Sequence, residues 1–344
     1  MSLSDTVRGI VPVDEVARAQ AVEHQLALAK PPHALGRLEE LGVQLAAIAG
    51  QCPPPMPDPA RIVVVAGDHG VVDQEVTRWP PALSGVLAGT VVDGVAGVSV
   101  LARSAGVQVV ALDAGLAAPV PSVPEAVIRR GTADFTQGPA MTRDEATAAV
   151  ELGIAQAELA YDEGVRCLAT GEVGIGNTTT AAALIAAFTG AEAAAVAGRG
   201  ADSPPEMVAH KVDVIARALA LHAPDPADPI GVLAAVGGVE QAVLTGLVLG
   251  AARLRLPVLL DGVTGVAAGL AAVALCPAAS GYLIAAHAGA EPGIGVGLSA
   301  LELTPVIDLG LALGEGTGAA LAVPILRASV AVMTKMATLA SLLG

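Results

Sequence analysis

The segment GEVGIGNTTT at 171–180 follows an apolar run, and it sets a carboxylate, Glu172, just ahead of a glycine-spaced turn. There Gly174, Ile175 and Gly176 let backbone N–H groups approach a ligand. The helix predicted to start at Asn177 and Thr178 favours an anion at its N-terminus, and a phosphate fits both features. The pattern is neither GxGxxG nor a Walker loop, since no GK[ST] follows, so a plain tight strand-to-helix turn stays open beside the binding reading. In LGEGTGAALAVPIL at 313–326, Glu315 stands between Gly314 and Gly316, ahead of another helical stretch. A carboxylate flanked by glycines is accessible to whatever fills the loop, which suits a general base. Helix capping explains the same acid equally well, because the helix dipole stabilises it. Two cations qualify as phosphate partners: Lys211 in AHKVDVIARAL, and Arg199 between Gly198 and Gly200 in AGRGAD. Each is equally readable as a solvated surface charge. Asp68 and His69 have the residue types of a catalytic or metal-binding pair, but the six histidines show no HxxxH or HxH spacing. The pair reads as structural, and no metal site is expected.

Positioning these residues needs strands that end where they begin. Ile62–Ala66 is a short, β-branched apolar run stopped by Gly67, the signature of a buried parallel strand. The same pattern recurs in VQVVALDAG at 107–115, VRCLATGEVGIGN at 165–177, PVLLDG at 257–262 and GYLIAAHAG at 281–289. Helical segments lie between them, including one that opens with Thr142 and Glu145 in capping-box spacing. Strand, glycine turn and helix in repetition predict a doubly wound α/β fold with a mainly parallel sheet flanked by helices. Its ligands belong at the carboxyl ends of the strands, near Asp68, His69, Asp113, Glu172, Asp261 and His287. A helical pair over 13–30 and 34–51 precedes the sheet, joined to it by QCPPPMPDPA.

Composition narrows the function classes. With 53% hydrophobic and 15% charged residues among 344, the chain can bury a sizeable core, built mostly from small aliphatic side chains and 40 glycines. A net charge of -15 repels nucleic acid and anionic lipid. Cys52, Cys167 and Cys276 form no CxxC, which argues against a disulfide framework or a zinc site. The first residues include acids and lack a long apolar run, so no signal peptide is expected and the cytoplasm is the predicted location. Gly262–Ala290 has no Asp, Glu, Lys or Arg, but its Pro277, His287 and glycines argue against a membrane span.

In order and spacing, the motifs resemble the nicotinate-nucleotide:dimethylbenzimidazole phosphoribosyltransferases over nearly the whole chain. The resemblance is carried by KPPHALGRLEEL at 30–41, VVVAGDHGVV at 63–72, GTADFTQGPAMT at 131–142, LATGEVGIGNTTTAAAL at 168–184 and AVGGVEQAVLTG at 235–246. PVLLDG, HAGAEPG at 287–293 and LGEGTGAALAVPIL complete it. It implies Glu315 as general base and Glu172 as a second active-site glutamate. It also implies a ribose-phosphate site at Gly174–Thr178, Gly198–Gly200 and Lys211, no cofactor, and a homodimer. A small helical domain would be drawn from both chain ends: an N-terminal part over 1–58, an α/β catalytic part over 59–312 and a C-terminal part over 313–344 that carries the catalytic loop. Thr77, Trp79 and Val86 in QEVTRWPPALSGV, with Leu313, would face the base. There Thr77, Trp79 and Val86 replace a serine, a tyrosine or phenylalanine, and a glutamine. His33-Ala34, Asp134, Ala201-Asp202-Ser203 and Ile294 also depart from the family's pattern.

The implied substrates are nicotinate mononucleotide and a benzimidazole. Two other readings compete: a magnesium-dependent transferase using phosphoribosyl pyrophosphate, and a non-catalytic nucleotide sensor. VLLDGVTG at 258–265 superficially resembles the pyrophosphate class, but Gly262 stands where a second acid would follow Asp261. A sensor would leave Glu315 without a task.

Overall fold

Ile62, Val64 and Ala66 belong to one core and Val63 and Val65 to another, so alternate residues of a single strand feed two separate apolar layers. In the computed structural model, which describes residues 1–343, this run is β1 (Ala60–Gly67). The other sheet strands are β2 (Gln108–Gly115), β3 (Cys167–Val173), β4 (Val258–Leu260) and β5 (Leu283–Ala285). They pair in parallel throughout, in the order β2-β1-β3-β4-β5. β3 alternates in the same way, with Leu168 in one layer and Cys167 and Ala169 in the other.

One layer is closed by the helices Arg143–Asp162, Asn177–Thr189, Val239–Arg253 and Gly262–Leu275. The opposite layer takes Arg37–Ala49, Gly97–Ala105 and Thr317–Lys335. With helices on both faces, the sheet is the doubly wound α/β arrangement that the motifs imply. Close packing explains the small residues: a Cβ at Gly153 or Gly246 would collide with backbone of the facing helix. Thr142 and Glu145 form the capping box their spacing predicts.

The two chain ends pack together. Ala21, Ala46 and Met333 share a small apolar cluster, and Leu28 bridges to Thr338. The charge-free stretch after Asp261 opens with a buried 14-residue helix, Gly262–Leu275, and then runs through β5 and β6. Two segments, Leu83–Ala105 and Thr317–Lys335, are long and apolar enough to cross a bilayer. The first consists of two helices, Leu83–Val92 and Gly97–Ala105, and the second packs its Ala319, Val323, Leu326 and Val330 into the core.

One expectation needs correction. GYLIAAHAG is not a single strand: β5 ends at Ala285, and His287–Gly289 forms β6, which pairs in parallel with β7 (Ile307–Leu311) in a separate two-stranded sheet. Ala286 makes the break, its N–H still donating to Leu260 while its carbonyl accepts from Ile307. This small sheet carries the chain to Glu315.

Candidate active site

β3 delivers Glu172 to the carboxyl edge of the sheet, and the turn that follows is tight enough to need Gly176 at φ 95°, as the cap of the Asn177–Thr189 helix. Asn177 turns back so that its side-chain amide donates to the Glu172 carboxylate. The Ile175 N–H is held by the Ser84 hydroxyl at 2.9 Å, and Gln241 fastens the helix start through the Asn177 carbonyl (3.1 Å) and the Thr180 hydroxyl (2.8 Å). The turn is therefore rigid before any ligand arrives.

Across the cavity, Gly314, Glu315 and Gly316 all have positive φ, at 80°, 62° and 101°. Glycine adopts this backbone freely. For Glu315 it is a strained conformation that its surroundings must impose. Asp261, at the end of β4, does much of this: its two carboxylate oxygens accept from the Gly316 N–H (3.0 Å) and the Ala319 N–H (2.8 Å). It thus caps the Thr317–Lys335 helix and fixes the loop that presents Glu315. The Glu315 carboxylate is buried and accepts from the Val98 N–H at 3.3 Å.

These two loops enclose a cavity of about 280 Å³, with Glu172, Gly174, Ile175, Asn177 and Thr178 on one wall and Leu313, Gly314 and Glu315 on another. The neighbouring carboxylates perturb Glu172. Burial pushes Glu172 up to about 8, helped by the negative charges of Glu240, Asp261 and Glu315 and opposed by the Glu315 backbone. Burial also raises Glu315, against the Val98 N–H, and raises Asp261, against His287 and the helix N–H groups. His287 lines the cavity, and its Nε2 lies 3.2 Å from the Gly262 N–H and 3.5 Å from Asp261.

The other end of the cavity is lined by Thr178, Gly200 and Glu291, with Lys211 behind them. Lys211 is 3% exposed, and its ammonium lies 3.4 Å from both the Thr178 hydroxyl and the Gly198 carbonyl, long contacts that leave it donors to spare. Burial lowers its pKa, opposed by the charge of Glu291. Gly200 lies between Lys211 and Thr178, with its N–H donating to Glu291 at 2.7 Å. Perturbed carboxylates, a caged ammonium and a helix N-terminus around one cavity have the makings of a group-transfer site.

A phosphoribosyltransferase family model matches residues 10–342. The chain belongs to that family. It is similar to the nicotinate-nucleotide--dimethylbenzimidazole phosphoribosyltransferase of Salinispora tropica, with 50% identity over 355 residues covering 98% of each chain. The enzyme of the same name from Roseiflexus sp. is 47% identical over 339 residues, covering 98% of this chain and 96% of that one. A crystal structure of the Thermus thermophilus enzyme of that name superimposes with a TM-score of 0.88 at 40% identity, over 94% of this chain and 97% of that one.

Within this transferase, the residues singled out by sequence fall into three groups. Glu172, Gly174, Ile175, Asn177, Thr178, Gly200, Leu313 and Glu315 line the cavity, while Gly176, Gly198 and Lys211 stand immediately behind its wall. Arg199 points away: its guanidinium pairs with Asp202 at 2.6 Å and is 65% exposed. Thr77, Trp79 and Val86 do not line the cavity. Trp79 donates its indole N–H to the Ala201 carbonyl at 3.0 Å, Thr77 lies in a shallow depression with Pro204 and His210, and Val86 is 62% exposed. Their neighbour Leu87 faces inward instead.

Glu291, Ile294 and Leu311 also line the cavity and carry no role in the sequence reading. Glu291 had a signal, since an acid directly before the proline that opens a helix marks a cap position. Its reach across to Gly200 is tertiary and left no trace in local pattern.

Proposed function

We propose that this cavity transfers the ribose phosphate of nicotinate mononucleotide to 5,6-dimethylbenzimidazole or a related base, releasing nicotinate and α-ribazole 5′-phosphate. The observation that carries the reading is the pair of carboxylates, Glu172 and Glu315, on facing loops beside the amide-rich turn. The donor's nicotinate leaves as a neutral ring once its glycosidic bond breaks, because it begins as a pyridinium. No acid is needed to protonate it. The acceptor attacks C1′ through its lone-pair nitrogen, and the product would be a cation unless the opposite ring N–H loses its proton. Glu315 takes that proton, in the role of general base. Glu172, ionised, faces the positive charge that develops on the ribose as the bond to nicotinate stretches.

The 5′-phosphate is assigned to the Gly174–Thr178 turn, with Gly198, Gly200 and Lys211 around it. Helix N–H groups and a nearly unpartnered ammonium are the donors an anion needs. Leu87 and Leu313 supply apolar surface for the base. The enzyme is proposed to work as a cytoplasmic homodimer, with the chain divided at 58/59 and 312/313 into a small helical domain from both ends and the α/β catalytic domain.

Incubation with nicotinate mononucleotide and dimethylbenzimidazole in excess EDTA tests the assignment. Equimolar nicotinate and a ribosylated base are expected. Turnover only with phosphoribosyl pyrophosphate and magnesium would reassign the reaction, and nucleotide binding without turnover would make the protein a sensor.

A further inference from the structure

Directly behind the cavity wall lies a buried histidine–glutamate pair for which the reaction, as described, has no use. His69, in the loop after β1, places Nε2 3.3 Å from Oε1 of Glu240 on the Val239–Arg253 helix, and neither side chain has any exposed surface. No hydrogen-bond partner satisfies either ring nitrogen or either Glu240 oxygen, and one oxygen of the adjacent Asp68 is likewise unpartnered. Burying an ionised carboxylate without hydrogen bonds is costly unless a counter-charge is close. The only cation in contact with Glu240 among the described residues is His69 in its protonated form.

The pair is built into the site. A Cβ at Gly174 would come within 3.0 Å of His69 Nε2, and one at Gly238 within 2.5 Å of both His69 Cε1 and Glu240 Oε2. His69 therefore underlies the glycine turn assigned to the phosphate, and Glu240 is close enough to Glu172 to act on its charge. The charged groups acting on Glu172 come from each neighbouring element: Glu240 from the helix, Asp261 from the end of β4 and Glu315 from the opposing loop. His69 and Asp68 follow β1, and His287 faces Asp261 from β6.

We propose that His69 and Glu240 form a buried imidazolium–carboxylate positioning pair, which cancels the Glu240 charge behind the site so that Glu172 can become an anion when the cationic donor binds. Burial opposes the charge on His69, but Glu240 and then Asp68 outweigh it and hold the imidazole above its usual range. Without that imidazolium, the carboxylates around Glu172 would stand against its ionisation uncompensated. Neither His69 nor Glu240 touches the substrate; both act through Glu172 and the Gly174 turn. The inference rests on the proposed transfer reaction for its kinetic readout, but the charge state of His69 is measurable without it.

Two experiments test the pair. In ¹H–¹⁵N spectra of the imidazole rings of the wild-type protein, assigned against single histidine variants, His69 should show both nitrogens protonated at pH 7.5. A neutral ring there overturns the proposal. In the nicotinate-release assay, His69→Gln should move the acidic limb of kcat/KM upward by about one pH unit, an about tenfold loss below the limb. The double variant His69→Gln/Glu240→Gln removes both charges and should return the limb to the wild-type position. A merely structural role predicts no such return, so a double variant whose limb stays displaced contradicts the pair. If His69→Gln alone does not fold, the double variant and the spectra still decide. Failure of the proposed reaction would look different: wild-type protein would release no nicotinate at all, whatever the state of His69.

Discussion

The two ends of the cavity hold opposite kinds of group. Around Glu172 and Glu315 the walls are acidic, with Asp261 and Glu240 behind them and no lysine or arginine among the lining residues. Around Thr178 and Gly200 the wall is backbone and helix N-terminus, with Lys211 as the buried cation and a single acid, Glu291, already held by the Gly200 N–H. Nicotinate mononucleotide has the same division, a pyridinium at one end and a phosphate at the other. Under the proposed function, a cavity zoned this way would orient the donor before any specific contact forms and would set the carboxylates where positive charge develops. The difference also explains why the two ends are built differently. An anion can be held by fixed N–H groups on a rigid turn. Glu315, the proposed base, is instead held in a strained loop at φ 62°, with Asp261 anchoring the residues that follow.

The zoning can be broken from the acidic side first. Glu315→Gln should fold normally, because the Asp261 contacts go to backbone N–H groups and not to the Glu315 side chain, and turnover should fall by about 10²–10⁴. Wild-type turnover in that variant would remove Glu315 from the role of base. Next in size is selectivity for the acceptor. Thr77, Trp79 and Val86 do not line the cavity, so Leu87 and Leu313 leave shape as the main discriminator. Dimethylbenzimidazole and benzimidazole should then compete within roughly 200-fold of each other, and adenine, with unpaired polar edges, should be worse than both. Preference for adenine in a three-way competition would show that polar groups reach the base after all.

At the basic end, Lys211→Ala should weaken nicotinate mononucleotide by about 10–100-fold while changing the dephosphorylated nucleoside much less, since only the former carries the charge. Equal losses in calorimetric titrations of the two ligands would move the phosphate elsewhere. The smallest effect is in pH. A free-enzyme carboxylate at about 8 is protonated below that value, so if Glu172 must be an anion, kcat/KM falls about tenfold per pH unit as pH drops below 8. The bound cation favours the ionised form, so the limb in kcat should lie at lower pH. A rate that rises as pH falls through this range would assign Glu172 the opposite role.

Much of this zoning was legible in sequence, because the groups that define it stand in short glycine-marked turns at strand ends. Glu172 with Gly174–Thr178, and Glu315 between its glycines, are local patterns fixed by backbone conformation. The sheet was legible for the same reason, from β-branched runs stopped by glycine. What escaped depends on contacts between distant segments. β7 is largely exposed and so lacks an apolar run, and β6 follows β5 after a single residue, so the two read as one strand. Arg199 is the local exception, turned outward by Asp202 three residues on. Trp79 is held outside the cavity by the carbonyl of Ala201, more than a hundred residues away in sequence, and no spacing rule encodes such a bond. The His69–Glu240 pair spans a still longer stretch of sequence.

The central claim, that one end of the cavity performs proton and charge chemistry while the other only holds phosphate, is tested most directly by separating kcat from KM. Steady-state nicotinate release should be measured for Glu315→Gln and Lys211→Ala, with nicotinate mononucleotide varied at saturating dimethylbenzimidazole. Glu315→Gln is expected to lower kcat with KM near the wild-type value, and Lys211→Ala to raise KM with kcat largely kept. If both variants lost the same parameter, or if the two effects were exchanged, the division of the cavity into two working ends would be contradicted.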